Sequence, residues 1–169
     1  MIRLAVERTP SFWIRLANWL GIRIYWTHSF IHYDGRMIEA GATGVVDTPF
    51  PPKRFFKSEF AFYELKPQLF ESEEHKRQTY DKMLAFAKGE VGKRYKYEAL
   101  PIILIRLLRL SFSKKRYLIG TGEVCTSLVD RTFLYAGFDL VKGETSPFVL
   151  PDELVESDLL MPVSLDFRS

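Results

Sequence analysis

Two periodicities of hydrophobic and polar positions divide the chain into predicted strands and predicted helices. The strongest signal is a hairpin, in which residues 25–33 and 36–40 form the strands and Asp34-Gly35 forms the turn. Glycine favours such a turn because it tolerates a positive φ angle. Further strands are predicted at residues 2–6, 60–65 and 159–165.

Apolar residues with helical spacing predict two amphipathic helices, at residues 73–88 and 124–136, and a further helical stretch that opens at Pro10 and ends at Gly21. Together with the strands, they predict an α+β fold in which an antiparallel sheet packs against helices. The chain contains no Gly/Ser linker, internal repeat or low-complexity run. Residues 1–169 are therefore expected to form a single domain.

The composition favours a folded protein and argues against nucleic acid as a partner. Of the 169 residues, 47% are hydrophobic and 15% are aromatic, which argues against disorder. The net charge of +3 is too small to indicate nucleic-acid binding, so no nucleic acid is expected as a partner. The single cysteine, Cys125, excludes an internal disulfide and a multi-cysteine zinc site.

Neither a transmembrane segment nor a signal peptide is predicted. The most apolar segment, LPIILIRLLRL, starts at Leu100 and ends at Leu110, and two arginines interrupt it. It is expected to be an amphipathic helix packed on the core, with contact to a membrane surface as the alternative. At the N-terminus, Arg3, Glu7 and Arg8 interrupt the apolar run, so we expect a cytoplasmic or virion- or assembly-associated protein.

Cys125 opens the second amphipathic helix. Backbone N–H groups of a first helical turn lack partners within the helix, and they favour a nearby negative charge. A thiolate is stabilised at such a position, and the same N–H groups could bind the oxyanion that forms when a carbonyl is attacked. A buried structural cysteine is the alternative, and a nucleophile also needs a base.

The hairpin offers that base. With a two-residue turn, Tyr33 pairs with Arg36 and His32 with Met37, and Phe30 is expected opposite Glu39 and His28 opposite Gly41. His28, Phe30, His32, Met37 and Glu39 then share one face, with Glu39 diagonal to both histidines. This arrangement predicts a histidine base that a carboxylate orients, or else an ordinary ion pair of a sheet.

The same face also raises the question of a metal site. His28 and His32 are four residues apart on a predicted strand, which separates them by about 13 Å. They are therefore too far apart to share one ion, and no metal or other cofactor is expected. His75 lies on the polar face of the first helix and is expected to take no part.

Several motifs, in this order, resemble circularly permuted, NlpC-type papain-like hydrolases, a branch that includes YiiX-like bacterial proteins and relatives of lecithin retinol acyltransferase. The run THSFIHYDGRMIEAGATGV, from Thr27, resembles the family's His motif, and VCTSLVDRTFLYAG, from Val124, resembles its Cys motif. Between them, FAFYELK resembles the central strand and GEVGKRYKYE the G-x-x-Y-x-Y element. The tail TSPFVLPDELVESDLL resembles the family's ending.

The resemblance implies a papain-like fold with the catalytic cysteine at a helix N-terminus. Cys125 would be the nucleophile, His28 the base and Glu39 the third, polar residue. The implied reaction is cleavage of an amide through a thioester acyl-enzyme, with a peptide of the peptidoglycan stem type as leading substrate. The alternatives are an acyl or lipid hydrolase or acyltransferase, and a non-catalytic module of a phage particle or secretion assembly.

Overall fold

The computed structural model describes residues 1–9, 25–41, 43–52, 58–94, 125–142 and 149–164. The strands in this part of the chain are β1 (Ile2–Arg8), β2 (His28–Tyr33), β3 (Arg36–Gly41), β4 (Gly44–Pro49), β5 (Glu59–Leu65) and β6 (Leu160–Val163). The helices are α1 (Glu73–Glu90), α2 (Cys125–Tyr135) and α3 (Pro151–Val155), with a short 3-10 turn at Pro67–Leu69.

The six strands form one antiparallel sheet in the order β4-β3-β2-β1-β5-β6. The predicted α+β class is therefore confirmed. Asp34 and Gly35 join β2 to β3 with φ angles of 43° and 69°, which are those of a tight hairpin turn with two left-handed residues.

The register of the hairpin is confirmed near the turn, where Tyr33 lies opposite Arg36 and His32 lies opposite Met37. The ladder between β2 and β3 ends at the next pair, so it does not reach the two expected pairs that involve Phe30 and His28. On its other edge β2 pairs with β1 along its whole length, and Glu7 lies opposite His28.

Several element boundaries differ from the prediction. The strand expected from residue 25 begins only at His28, because the backbone N–H groups of Tyr25 and Trp26 bind the Asp152 carboxylate. Strand β4 and helix α3 were not predicted. The strand expected at residues 159–165 is observed as β6, with residue 165 outside the described residues.

The predicted helical stretch from Pro10 to Gly21 and the apolar segment at residues 100–110 both lie outside the described residues. The question whether that apolar segment packs on the core or contacts a membrane therefore stays as predicted. Within the described ranges, no helix combines the length and the apolar character needed to cross a bilayer.

The sheet carries apolar side chains on both faces. One face packs against the helices, and its buried residues include Leu4, Ile31 and Ile38 of the sheet with Val129 and Phe133 of α2. The opposite face carries a second buried cluster of Ala5, Phe30, Met37 and Phe62. Full burial of each such large side chain contributes about 1.5–3 kcal/mol, so both faces hold the sheet in place.

Candidate active site

The candidate site forms where strand β2 begins and at the first described turn of helix α2. His28 is the first residue of β2, and Cys125 is the first described residue of α2. Helix α2 packs across β2 and β3 through buried residues such as Leu128 and Val129. The packing of α2 therefore brings the Cys125 thiol into hydrogen-bonding contact with the His28 imidazole.

Glu39 contacts the opposite side of the imidazole. The Nε2–H of His28 donates a hydrogen bond of 2.7 Å to Glu39 Oε2. Both side chains are largely buried, with 21% of His28 and 12% of Glu39 exposed. Because Nε2 is engaged by the carboxylate, Nδ1 is the ring nitrogen that can share a proton with the thiol. The structure thus brings Cys125, His28 and Glu39 together in one chain of contacts.

The thiol also contacts two backbone donors. The N–H groups of Ser29 and Thr126 donate to the Cys125 sulfur. Burial by itself raises the pKa of this thiol, but the His28 charge and the hydrogen bonds from His28, Ser29 and Thr126 outweigh burial. The pKa of Cys125 is therefore lower than that of an ordinary cysteine.

The imidazole shows the complementary change. Burial favours the neutral ring, yet the charge and hydrogen bond of Cys125, followed by those of Glu39, raise the pKa of His28 to about 10. The two shifts describe one coupled proton between the partners. The geometry therefore shifts the pair toward an imidazolium next to a thiolate, and the thiolate is the form of cysteine that attacks a carbonyl.

The other residues expected on this face of the hairpin have a different role. Phe30 and Met37 are fully buried in the second apolar cluster. His32 lies edge-on to the rings of Phe50 and Phe62, and its buried Nδ1 has no hydrogen-bond partner among the described residues. Burial, and next the nearby Arg3 charge, lower the pKa of His32 to about 4. The imidazole of His32 is therefore neutral at physiological pH.

Tyr25 and His75 form hydrogen bonds with residues outside the Cys–His–Glu chain of contacts. The Tyr25 hydroxyl, which could otherwise donate to an oxyanion, donates to Glu59 over 3.2 Å, and the Arg8 guanidinium lies over the Tyr25 ring. His75 accepts a hydrogen bond from the Glu71 N–H at the start of α1. The backbone donors to the sulfur among the described residues are the N–H groups of Ser29 and Thr126, and only that of Thr126 follows from the helix expected at Cys125.

Sequence reasoning also missed two acidic residues that hold the chain just before His28. Asp152, at the start of α3, accepts hydrogen bonds from the backbone of Tyr25 and Trp26. Glu7 accepts hydrogen bonds from Thr27 through its backbone carbonyl. Both contacts join segments that are distant in sequence, and no local pattern of residues predicts them.

The described fold and the cysteine-centred cluster define an α+β protein with a thiol beside a His–Glu pair. No protein-family model matches the chain, and no curated protein matches it. A solved structure that does match is the crystal structure of the metalloprotein yiiX (DUF1105) from Escherichia coli O157:H7, with a TM-score of 0.62 and 15% sequence identity. The match covers 97% of this chain and 96% of that chain, so the chain has a YiiX-like fold.

Proposed function

We propose that this protein is a cysteine hydrolase that cleaves an amide through a thioester acyl-enzyme. The observation that carries the proposal is the chain of contacts from Glu39 through His28 to Cys125. A nucleophile, a base and a group that orients the base are the three parts that nucleophilic catalysis requires.

In the proposed reaction the Cys125 thiolate attacks the carbonyl carbon of the amide and forms a tetrahedral intermediate. The Thr126 N–H of α2 lies beside the sulfur and would help to stabilise the negative charge that develops on oxygen. The C–N bond then breaks, and the His28 imidazolium gives its Nδ1 proton to the leaving amine. The neutral imidazole next takes a proton from water, and hydroxide attack on the thioester releases the acid and restores the thiol.

Glu39 would act through His28 in both half-reactions. Its hydrogen bond to Nε2 fixes the tautomer and the orientation of the ring, so that Nδ1 points toward the sulfur. Its charge also stabilises the imidazolium between the two steps. A carboxylate that is 12% exposed and 2.7 Å from the ring is well placed for both effects.

Two further observations support a permuted papain-like assignment. The histidine strand precedes the cysteine helix along the chain, and the YiiX-like fold agrees with the motifs that suggested this branch. We propose a peptide amide of the peptidoglycan stem type as the leading substrate. An acyl ester, or a lipid acyl group, is the competing substrate class.

The structural neighbour yiiX is a metalloprotein, which raises the question whether the described residues of this chain could hold a metal ion. Within the described ranges, no group of three or more His, Cys, Asp or Glu side chains could hold a metal ion. His28 and Glu39 bind each other through Nε2 and Oε2. The described residues therefore do not fit a bound metal ion, and no step of the proposed reaction uses one.

The first experiment measures the reactivity of the thiol. We expect iodoacetamide to alkylate Cys125 near neutral pH roughly tenfold or more faster than it alkylates free cysteine, because the lowered pKa increases the thiolate fraction. His28→Ala should remove this advantage, and His75→Ala, which changes a histidine on α1, should not. Ordinary reactivity that His28→Ala leaves unchanged would refute the proposal.

The second experiment identifies the bond that is cleaved. Wild-type protein and the Cys125→Ala variant are incubated with peptidoglycan fragments and, separately, with acyl esters, and the products are analysed by mass spectrometry. Amide cleavage that Cys125→Ala abolishes supports the leading substrate class, whereas ester cleavage alone supports the competing one. No cysteine-dependent product and no acyl-enzyme with either class would favour the non-catalytic alternative.

A further inference from the structure

A buried carboxylate lies behind the candidate site and is not part of the Cys–His–Glu chain. Glu7, near the end of β1, is 1% exposed and lies directly opposite His28 in the ladder between β1 and β2. Burying a carboxylate is costly unless hydrogen bonds compensate for the lost water. Its partners therefore indicate why the position carries an acid.

The Glu7 side chain binds two hydroxyl groups. Its Oε1 accepts a hydrogen bond of 2.7 Å from Ser58 Oγ and one of 2.9 Å from Thr9 Oγ1. Ser58 directly precedes β5, and Thr9 directly follows β1. The carboxylate thus fixes the position of Thr9 relative to two neighbouring strands of the sheet.

Thr9 in turn holds the residue that precedes His28. The Thr9 N–H donates to Thr27 Oγ1 over 3.2 Å. The N–H and the hydroxyl of Thr27 both donate to the Glu7 backbone carbonyl, each over 2.9 Å. Thr27 is therefore held by three hydrogen bonds, all to Glu7 or to Thr9.

We propose that Glu7 is a positioning residue, which holds His28 against Cys125 through Thr9 and Thr27. The inference rests on the proposed function of Cys125 and His28. His28 has only one covalent neighbour outside β2, and that neighbour is Thr27. A small rotation at Thr27 would move the imidazole away from the sulfur on one side or from Glu39 on the other. Catalytic geometry is sensitive to such displacements.

The test uses two changes of Glu7 and a matched control. Glu7→Ala removes the side-chain oxygen that accepts from Ser58 and Thr9, whereas Glu7→Gln keeps a side-chain oxygen that can accept these hydrogen bonds. The control is Glu64→Gln, since Glu64 is another buried carboxylate on the same face of the sheet and pairs with Arg3 over 2.7 Å. The measured quantity is the pH midpoint of Cys125 alkylation, which a general loss of stability does not move.

We expect Glu7→Ala to raise this midpoint by about one pH unit, which is a roughly tenfold loss of thiolate at a given pH. Glu7→Gln should restore most of the wild-type profile, and Glu64→Gln should match the wild type. A Glu7→Gln shift as large as that of Glu7→Ala would overturn the proposal, because the charge and not the position would then matter. An equal shift in Glu64→Gln would overturn it as well.

Thr27→Val tests the route from Glu7 to His28 with a nearly isosteric change, and it remains informative if Glu7→Ala fails to fold. It removes the hydroxyl that links Thr9 to the strand of His28. We expect Thr27→Val to raise the pH midpoint of Cys125 alkylation, as Glu7→Ala does. The double variant should show no further increase, because both changes interrupt the same series of hydrogen bonds. An unchanged midpoint in Thr27→Val, or additive shifts, would contradict the proposal.

The imidazole of His28 provides a readout that does not depend on the proposed reaction. In a Cys125→Ser background, NMR can follow the titration of His28 with no thiolate and no turnover. Glu7→Ala should alter this titration, and Glu7→Gln should restore it. If the protein cleaves no substrate but this effect is observed, the proposed function fails while the positioning role stands; if the titration does not change, the positioning role fails.

Discussion

Replacing His32 with glutamine should make the protein less sensitive to acid. Burial and the Arg3 charge lower the pKa of His32 from 6.5 to about 4, against a smaller opposing effect of Asp34. Because the pKa in the folded protein is the lower one, the unfolded chain binds a proton more readily throughout this window. The stability that depends on a neutral His32 is complete above pH 6.5 and is lost as the pH falls toward 4.

The size of the effect follows from the pKa difference. Each unit corresponds to about 1.4 kcal/mol, and His32 is half charged in the folded protein at pH 4, so wild type should lose about 3 kcal/mol through this one group between about pH 7.5 and pH 4. The ring is only 6% exposed, so screening by solvent reduces this figure little. The His32→Gln variant has no side chain at this position that titrates in this pH range. Its free energy of unfolding should therefore fall by about 3 kcal/mol less than that of the wild type.

The assay is urea denaturation of both proteins across this pH range, followed by intrinsic fluorescence. Acidification also protonates carboxylates, so the free energy of unfolding should fall with pH in both proteins. The informative quantity is the difference between the two proteins, which removes the groups they share. A difference that stays constant from neutral pH to pH 4 would refute the reasoning, since it would mean that His32 titrates alike in the folded and unfolded chain.

Two further predictions concern the sheet and the His–Glu pair. Gly44 has a φ of +115°, and an added Cβ would collide with the Lys93 carbonyl oxygen, so Gly44→Ala should destabilise the protein by about 3 kcal/mol in urea denaturation. Gly41→Ala, where no atom lies within 4 Å of the added Cβ, should cost about 1 kcal/mol or less. Glu39→Gln should lower the pKa of His28 and so raise the pH at which the thiolate absorbance appears, and an unchanged titration would contradict the role of Glu39.

The sequence was informative where structure depends on neighbouring residues. The Asp34-Gly35 turn sets the hairpin register near Tyr33, because a two-residue loop leaves one way to pair the strands. The helix around Cys125 was also predictable, since Leu128, Val129 and Phe133 form a regular stripe. The closeness of Glu39 to His28 followed from the same alternation of side chains, although the ladder does not continue to that point.

What could not be predicted depends on contacts between distant segments. Strand β4 begins at Gly44 and ends at Pro49, which are residue types that usually mark loops. The late start of β2 depends on Asp152, which is more than a hundred residues away along the chain. The preference for His28 over His32 likewise came from a family motif, because alternation alone places both histidines on the same face.

The position of β1 within the sheet has a consequence for how the protein folds. Strands β2, β3 and β4 follow one another along the chain and are neighbours in space, so they can form a local meander early. β1 lies between β2 and β5, and its second partner is more than fifty residues away. The pairing of β1 can therefore be completed only after β5 has been synthesised. Until then, one edge of β1 carries unpaired backbone groups that could pair with another chain.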